Sequence, residues 1–421
     1  MVYSLFRLSN LLPFLFLFPA GLITSYVTAD EAELLAPILC SCAAISRDGT
    51  VLAVANLKDR IDIWSLEDGH FISQIEDDNS SLSKPLLALS ADGDQLFVAT
   101  SGGEGGFLVF NTSTGKVQNK LPGIELWYDT VGQKILPDMP EEERFDYMSS
   151  NGINNTFCIS SRIRNVDPYP GFAVSPNGDK IWIPQGSDNK LSFSSYELRR
   201  YILVLDVKSG KHEVLAFTPP QIPTDRFSAR GVAISGDSKR GVVVDGWYGF
   251  TIFDTDSLQP IRHSYEGDQS GVGPIAFSPK GDKAVVASSQ ISDDGRHTLS
   301  SGVHYLWTQT ATSGEDHVTP DKSGITSLSF SMDGVYVLAG TTSGRALVLG
   351  ESGNWIFNES NAPEDVAVTL VTLSHNSKDV VAVYITQANE KVILNRWNLY
   401  GEVHLKQTVV LRNAKDNLPQ K

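Results

Sequence analysis

A short turn motif recurs seven times along this chain, and each copy is followed by two apolar segments of strand length. The motif begins with a serine and continues with turn-forming residues, as in Ser-Pro-Asn-Gly at residues 175–178. Three of the six spacings between successive serines are 43 or 44 residues, which matches the roughly 40 to 45 residues of a four-stranded repeat unit. The seven anchor serines are Ser46, Ser90, Ser175, Ser235, Ser278, Ser331 and Ser374. This period predicts an array of similar units, each of which buries its faces against its neighbours.

The first copy shows why each unit is expected to be a β-sheet. Residues 51–55 and 61–64 are short apolar segments rich in Ile, Val and Ala, and polar turn residues bound them. Asp48-Gly49 suits a tight hairpin, because Gly adopts a positive φ without Cβ strain. No helical periodicity is sustained after the N-terminal segment, so the sequence predicts an all-β fold.

The seven motifs resemble the repeats of the WD40 and YVTN families of β-propellers, and the likeness covers about residues 37–411. The Trp-Asp ending of the WD40 family is incomplete, since Trp64 is followed by Ser and Trp397 by Asn. The resemblance implies a seven-bladed β-propeller of four-stranded blades, without the hydrogen-bond relay of the WD40 family. An eighth blade is the alternative, because residues 124–135 copy the third-strand, turn and fourth-strand pattern of residues 61–71.

The N-terminus carries a separate pattern. Arg7 precedes an apolar segment at residues 8–18, and a small-residue A-x-A-like pattern ends at Ala29, ahead of two acidic residues. This order is typical of a secretory signal peptide, so we expect a signal peptide at 1–29 and a single propeller domain at 30–421. The alternative is an uncleaved membrane anchor, although the apolar segment is shorter than the about 20 residues that span a bilayer. The prediction is a secreted or periplasmic protein with no membrane span after cleavage.

Charge and cysteine content limit the partners and the redox chemistry. With 49 acidic and 34 basic residues the formal net charge is −15, which argues against general binding to nucleic acid. Cys40, Cys42 and Cys158 are an odd number for a secreted protein, so at least one of them is unpaired or intermolecular. Buried free thiols are one interpretation, and a disulfide from Cys158 to one of the other two is the alternative.

Known catalytic and cofactor-binding motifs are missing from the sequence. The eight histidines are scattered, and neither a zinc-ligand spacing nor a haem-attachment motif occurs. The sequence also lacks G-x-S-x-G, P-loop, H-E-x-x-H and dinucleotide-binding motifs. We therefore expect no catalytic residue, no metal site and no cofactor.

The repeats differ in length between the two faces that a propeller presents. With the strands of a blade lettered A to D from the axis outward, the A-to-B and C-to-D turns emerge on one face, named here the tight-turn face. The B-to-C loops and the D-to-A connections emerge on the other, the insertion-bearing face. All three long insertions fall on this second face: the D-to-A connection at 122–170 and the B-to-C segments at 185–201 and 290–301. Insertions gathered on one face of a repeat array often mark its binding face.

Aromatic and arginine residues occur in the first two of these insertions and in the short B-to-C loop of the fourth blade. Such side chains often dominate binding interfaces, because they bury a large area at a low entropic cost. The candidate binding residues are Trp127, Tyr128, Tyr147, Tyr196, Arg199, Arg200, Trp247 and Tyr248. The alternative is that the aromatic residues fix the loops to the rim of the propeller.

The leading functional hypothesis is a non-catalytic propeller that binds a protein partner or another ligand through the insertion-bearing face. An enzyme is the alternative, on fold analogy alone: similar propellers include lactonases of the YVTN type and quinoprotein-like dehydrogenases, which work at the axial mouth. A structural part of a larger surface assembly is a third interpretation.

Overall fold

The structure is a computed structural model, and it describes most of the repeat region. The described residues are 43–56, 60–76, 85–100, 106–129, 134–136, 156–160, 172–184, 201–216, 229–245, 249–265, 272–291, 298–308, 313–360, 362, 366–386, 391–400 and 405–411. The predicted signal peptide, Cys40 and Cys42 lie outside these residues.

The described residues form seven four-stranded antiparallel sheets and contain no helix. They therefore offer no apolar helix of a length that would cross a membrane. In each sheet, four strands that follow one another in the sequence pair in that order. The seven sheets are the blades of a β-propeller, which confirms the predicted fold class.

The strands of the first three blades are numbered in chain order, together with those of the insertion at 122–170. Blade 1 contains β1 (Ala43–Ile45), β2 (Val51–Asn56), β3 (Arg60–Ser65) and β4 (Phe71–Glu76). Blade 2 contains β5 (Leu86–Leu89), β6 (Gln95–Thr100), β7 (Gly106–Asn111) and β8 (Val117–Pro122). The insertion contributes β9 (Glu125–Asp129), β10 (Lys134–Leu136) and β11 (Thr156–Ser160). Blade 3 contains β12 (Ala173–Val174), β13 (Lys180–Pro184), β14 (Tyr201–Asp206) and β15 (His212–Ala216).

The remaining four blades continue the same order. Blade 4 contains β16 (Ala229–Ile234), β17 (Arg240–Asp245), β18 (Gly249–Asp254) and β19 (Pro260–Tyr265). Blade 5 contains β20 (Val272–Phe277), β21 (Lys283–Ile291), β22 (Thr298–Trp307) and β23 (Ser313–Val318). Blade 6 contains β24 (Ile325–Phe330), β25 (Val337–Thr341), β26 (Ala346–Leu349) and β27 (Trp355–Glu359). Blade 7 contains β28 (Leu370–Leu373), β29 (Asp379–Thr386), β30 (Lys391–Asn398) and β31 (Leu405–Leu411).

Each A-to-B turn is closed by its anchor serine. Ser46 Oγ donates to Asp48 Oδ1 at 2.6 Å and accepts the backbone N–H of Val51 at 2.9 Å. The other six serines repeat this pair of bonds, to an Asp or Asn side chain and from the N–H five residues on. The third residue after each serine has a positive φ; it is Gly in five turns, and Ser238 and Ser377 in the other two. Turn closure therefore explains why the serine recurs.

The hydrophobic core is divided into seven clusters, one between each pair of neighbouring blades. Between blades 1 and 2, Ile63 packs with Leu96. Between blades 7 and 1, Trp64 packs with Val381 and Leu394. Since β28 also contacts β1, the last blade covers the free face of the first, and the ring is closed.

The ring closes without an exchange of strands between its first and last blades. All four strands of blade 1 come from residues 43–76, and all four strands of blade 7 come from residues 370–411. Besides the apolar cluster, this seam is held by Arg396, whose Nη1 donates to the carbonyl oxygen of Glu67 at 2.8 Å and whose Nη2 donates to that of Leu66.

The insertion at 122–170 contributes a three-stranded sheet in which β9 lies between β10 and β11. The first strands of blades 2 and 3, β5 and β12, contact each other. The N–H of Ala91 in blade 2 also donates to the carbonyl oxygen of Pro176 in blade 3 at 3.1 Å. Because these blades are direct neighbours, the three-stranded sheet takes no place in the ring, and the alternative of eight blades is wrong.

The insertion at 290–301 is partly regular structure. Strands β21 and β22 have nine and ten residues, and Ile291 is paired with Thr298 at the far end of their ladder. The B-to-C connection of blade 5 is therefore an extended hairpin, where the sequence suggests only an inserted segment. Residues 292–297 lie outside the described part of the chain.

Candidate functional site

The structure describes the backbone of two of the eight candidate binding residues. Trp127 and Tyr128 lie on β9, the central strand of the three-stranded sheet. The others, Tyr147, Tyr196, Arg199, Arg200, Trp247 and Tyr248, lie outside the described residues. In sequence, residues 185–200 separate β13 from β14, and residues 246–248 separate β17 from β18. Both segments are therefore B-to-C connections. That all eight side chains form one shared site stays a prediction.

One sector of the insertion-bearing face, at blades 5 to 7, is described with its side chains. There the connection between blades 5 and 6 lies against the B-to-C turn of blade 6. Asp321 Oδ2 accepts a hydrogen bond from Ser343 Oγ at 2.5 Å and lies 3.4 Å from Arg345 Nε. Arg345 Nη1 in turn donates to Asn358 Oδ1 at 3.0 Å. One carboxylate thus joins two loops of neighbouring blades.

The charge of Asp321 is supported by its hydrogen bonds. Burial raises the pKa of this carboxyl, but hydrogen bonds from Ser323 and Ser343 outweigh that effect and hold the pKa below its ordinary value. From the other side, Tyr384 of blade 7 donates its hydroxyl to the carbonyl oxygen of Gly344 at 3.2 Å. The B-to-C turn of blade 6 is therefore fixed from both neighbouring blades.

Sequence reasoning missed this sector, because no insertion marks it and the paired residues belong to separate loops. Lys322, next to Asp321, is exposed and has a φ of 59°, in the left-handed region that residues other than Gly rarely adopt. An exposed ammonium beside a fixed Asp–Arg pair gives the sector polar groups in a defined arrangement. Such groups suit contacts to a polar partner.

On the tight-turn face, backbone hydrogen bonds join A-to-B turns of neighbouring blades into a collar around the axis. The N–H of Asp48 donates to the carbonyl oxygen of Ala91 at 3.1 Å, and the N–H of Ala91 donates to that of Pro176 at 3.1 Å. The N–H of Gly236 donates to the carbonyl oxygen of Ser278 at 3.3 Å. These bonds link blades 1 to 3 and blades 4 and 5, so the collar is rigid where they occur.

Arg47, the residue after the first anchor serine, crosses the axis of the propeller on this face. Its Nη2 donates to the carbonyl oxygens of Phe277 at 3.0 Å and Ile234 at 3.3 Å. These residues end the first strands of blades 5 and 4, which lie opposite blade 1 in a ring of seven. Burial lowers the pKa of the guanidinium to about 10, against the opposing effect of the Asp237 charge. A cation therefore lies across the axis of the propeller at the tight-turn face.

Two of the described tyrosines, Tyr305 and Tyr400, have a raised pKa. Tyr400 donates its hydroxyl to that of Tyr336 at 3.1 Å, and this hydrogen bond raises the pKa of Tyr400 to about 12. Tyr400 is therefore a neutral phenol at physiological pH. Within the described part of the chain, no group of three or more His, Cys, Asp or Glu side chains is placed to hold a metal ion.

No family model matches the chain, and no curated protein matches it. Among solved structures, the chain is similar to Kuenenia stuttgartiensis hydrazine synthase, with a TM-score of 0.56 and 13% sequence identity. The match covers 84% of this chain and 94% of that one. At this identity the likeness shows the β-propeller fold alone, since one fold carries many unrelated functions. Assignment of the repeats to the WD40 or YVTN type stays a resemblance.

Proposed function

We propose that this protein is a non-catalytic β-propeller that binds a protein partner through its insertion-bearing face. The asymmetry between its two faces carries the proposal. On the tight-turn face, anchor serines close the A-to-B turns, and backbone bonds join several of the turns to one another. The two longest connections between blade strands, residues 123–171 and residues 185–200, lie on the other side, as does the extended hairpin of blade 5.

The largest insertion is not needed to complete the ring. Phe107 of blade 2 and Phe172 of blade 3, on either side of it in sequence, pack edge to face with their ring centroids 5.0 Å apart. The interface between blades 2 and 3 is therefore built mainly by the blades, and from the insertion Ile124 packs against it. A segment of this length that the scaffold does not require is the kind of element on which propellers and other scaffolds carry recognition.

The insertion-bearing face combines a sector whose side chains are held by hydrogen bonds with long insertions that carry the candidate binding residues. The sector around Asp321 and Arg345 is held by hydrogen bonds and an ion pair, so its groups lose little entropy when a partner binds. The candidate aromatic and arginine residues of the insertions supply the side chains that usually carry most of the binding energy. A protein partner fits such a surface better than a small substrate.

Replacing residues 125–171 with a short Gly-Ser linker, which keeps Ile124 against the core, tests the proposal. As a matched control, a Gly-Ser segment is inserted after Ser209 in the C-to-D turn of blade 3, because a Cβ on the neighbouring Gly210 would meet nothing within 4 Å. Both variants should keep the circular dichroism of a β-protein and unfold cooperatively. Only the deletion should lose the partners that crosslinking captures with the wild-type protein; retention of the same partners would refute the proposal.

Point substitutions separate recognition from folding. Trp127→Ala and Tyr128→Ala on β9 should each weaken binding to a partner identified in this way, by about 2 kcal/mol or roughly thirtyfold if the residue is a hot spot. Calorimetry with the purified partner measures the change. Variants that bind as tightly as the wild type would remove both residues from the interface and favour their role as supports of the loop.

The proposed compartment follows from the N-terminal pattern and has its own test. We propose that the protein is exported and that the signal peptide is cleaved after Ala29. N-terminal sequencing of the protein recovered from the periplasm or medium should then begin at Asp30. Recovery of an uncleaved chain from the membrane fraction would favour the anchor alternative.

A further inference from the structure

Arg47 breaks the repeat at the position after the anchor serine. The residues at this position in blades 1 to 7 are Arg47, Ala91, Pro176, Gly236, Pro279, Met332 and His375. Blades 2 to 5 have small residues or proline there, and only blade 1 has a long cationic side chain. In blade 4 the small residue is required, because a Cβ on Gly236 would come within 3.0 Å of the carbonyl oxygen of Pro279. The A-to-B turns of blades 4 and 5 thus lie close together, and the guanidinium of blade 1 reaches the strand ends of the same two blades.

Some N–H donors of the Arg47 guanidinium are not used by the protein groups that the structure describes. Arginine carries five N–H donors, and both hydrogen bonds of Arg47, to Ile234 and Phe277, come from Nη2. Among the described contacts, Nε and Nη1 donate to no protein group. Two strand-end carbonyls therefore hold the side chain across the axis, while the donors on Nε and Nη1 are left for another acceptor.

The neighbouring carboxylate does not take these donors. Asp237 is exposed, and its Oδ1 already accepts from Ser235 Oγ at 2.5 Å and from the N–H of Lys239 at 3.1 Å. In the described residues no ion pair joins it to Arg47. A partly buried cation with no directly paired anion is stabilised when an oxyanion accepts its free N–H groups.

We propose that Arg47 binds a small oxyanion, a carboxylate or phosphate group, at the axis of the propeller on its tight-turn face. The guanidinium suits this ligand, because its planar donors match the oxygens of either group and its charge is permanent. The net charge of −15 repels anions from a distance, but salt screens this repulsion beyond about 8–10 Å. The inference stands apart from the proposed function: its failure would leave partner capture by the insertion-bearing face unchanged.

Titration of the wild-type protein with inorganic phosphate and, separately, with acetate at constant ionic strength tests the site directly. In protein labelled with ¹⁵N at arginine, the Nε–H resonance of Arg47 should shift and saturate with a Kd of about 1–10 mM. A response to only one of the two anions identifies which group the site prefers. An Arg47 resonance that stays in place up to about 100 mM of both anions overturns the proposal.

Two variants separate anion binding from a purely structural role. Arg47→Gln should abolish the rise in melting temperature that the bound anion gives the wild type. Arg240→Gln is the control, because Arg240 also joins two blades, through Nη1 to the carbonyl oxygen of Gly281 at 3.1 Å and to Thr308 Oγ1 at 2.7 Å, but donates to neither of the carbonyl groups that hold Arg47. This control should keep the rise. If the anion still raises the melting temperature of Arg47→Gln, the proposal is refuted. If that variant does not fold, the titration of the wild-type protein is the deciding test.

Discussion

The substitution Gly49→Ala measures how tightly blade 7 closes on blade 1. Gly49 lies in the A-to-B turn of blade 1 with a φ of 70°, and a Cβ there would come within 3.0 Å of the carbonyl oxygen of Leu373 in blade 7. Gly334 holds the same turn position in blade 6 with a φ of 74°, and its Cβ would lie 3.4 Å from Pro279 Cδ, an ordinary contact. The two glycines thus share a backbone conformation and differ in the space beside them.

The expected magnitudes follow from this difference. A left-handed conformation costs Ala about 1–2 kcal/mol, of which about 0.4–1 kcal/mol is offset by the smaller entropy of the unfolded chain. Gly334→Ala should therefore lower the free energy of unfolding by about 1 kcal/mol. Gly49→Ala meets the same cost and about 1–3 kcal/mol of overpacking, because a backbone carbonyl moves only together with its strand β28. Its total should be about 2–4 kcal/mol.

Urea unfolding followed by tryptophan fluorescence and by circular dichroism supplies the free energies, provided the two probes give one transition. Gly210→Ala adds a third value: its φ is 68° and its Cβ would meet nothing within 4 Å, so it reports the dihedral cost alone. The order of destabilisation should be Gly49 far above Gly334 and Gly210. Equal losses in all three variants would refute the reasoning, since blade 7 would then yield freely to the new methyl group.

Three further predictions concern the same scaffold. Arg396→Gln removes the side-chain donors that join blade 7 to blade 1 and should destabilise the protein by about 1–3 kcal/mol in urea titrations, against less than about 0.5 kcal/mol for the exposed control Arg262→Gln. Ser377 has a φ of 55° where five other turns have glycine, so Ser377→Gly should raise the unfolding free energy by about 0.5–1 kcal/mol; a loss would mean that its backbone is not strained. The pKa of Asp321 is lowered in the folded state, so its stabilisation is complete above the unfolded value of about 3.9 and is lost as the pH falls through the folded-state value. Asp321→Asn should therefore flatten the fall of stability in acid, and an unchanged profile would contradict the assignment.

The sequence predicts the parts of this fold that depend on local chemistry. The anchor serines, the Gly at positive φ and the apolar segments mark turns and strands within one blade, and a period near 44 residues then implies the ring. The extension of the blade 5 hairpin was harder to predict, because it includes polar residues such as Ser300 and Ser301, which are strand residues here through their pairing with β21. Local propensity does not determine where a β-ladder ends.

Less of the candidate site than of the fold could be predicted from the sequence. Arg47 looks like an ordinary turn residue, and its two acceptors lie 187 and 230 residues away in the sequence. Only the number of blades and the closure of the ring bring these groups to one point. The link between Asp321 and Arg345 likewise depends on which loops become neighbours. Of the candidate binding residues, Trp127 and Tyr128 lie on a strand, in a segment whose resemblance to a third strand had suggested an eighth blade.

The closure of the ring by packing, without strand exchange, has a consequence for how the protein folds. Six of the seven seams join blades that are consecutive in the chain, so their contacts have short loops to close. The seventh joins groups as far apart as Arg396 and Leu66, 330 residues away in sequence. Since contacts between distant segments carry the largest loop-closure entropy, we expect the seam between blades 7 and 1 to form last and to set the rate of folding. Mutations at this seam should then slow refolding, whereas mutations between consecutive blades should mainly speed unfolding.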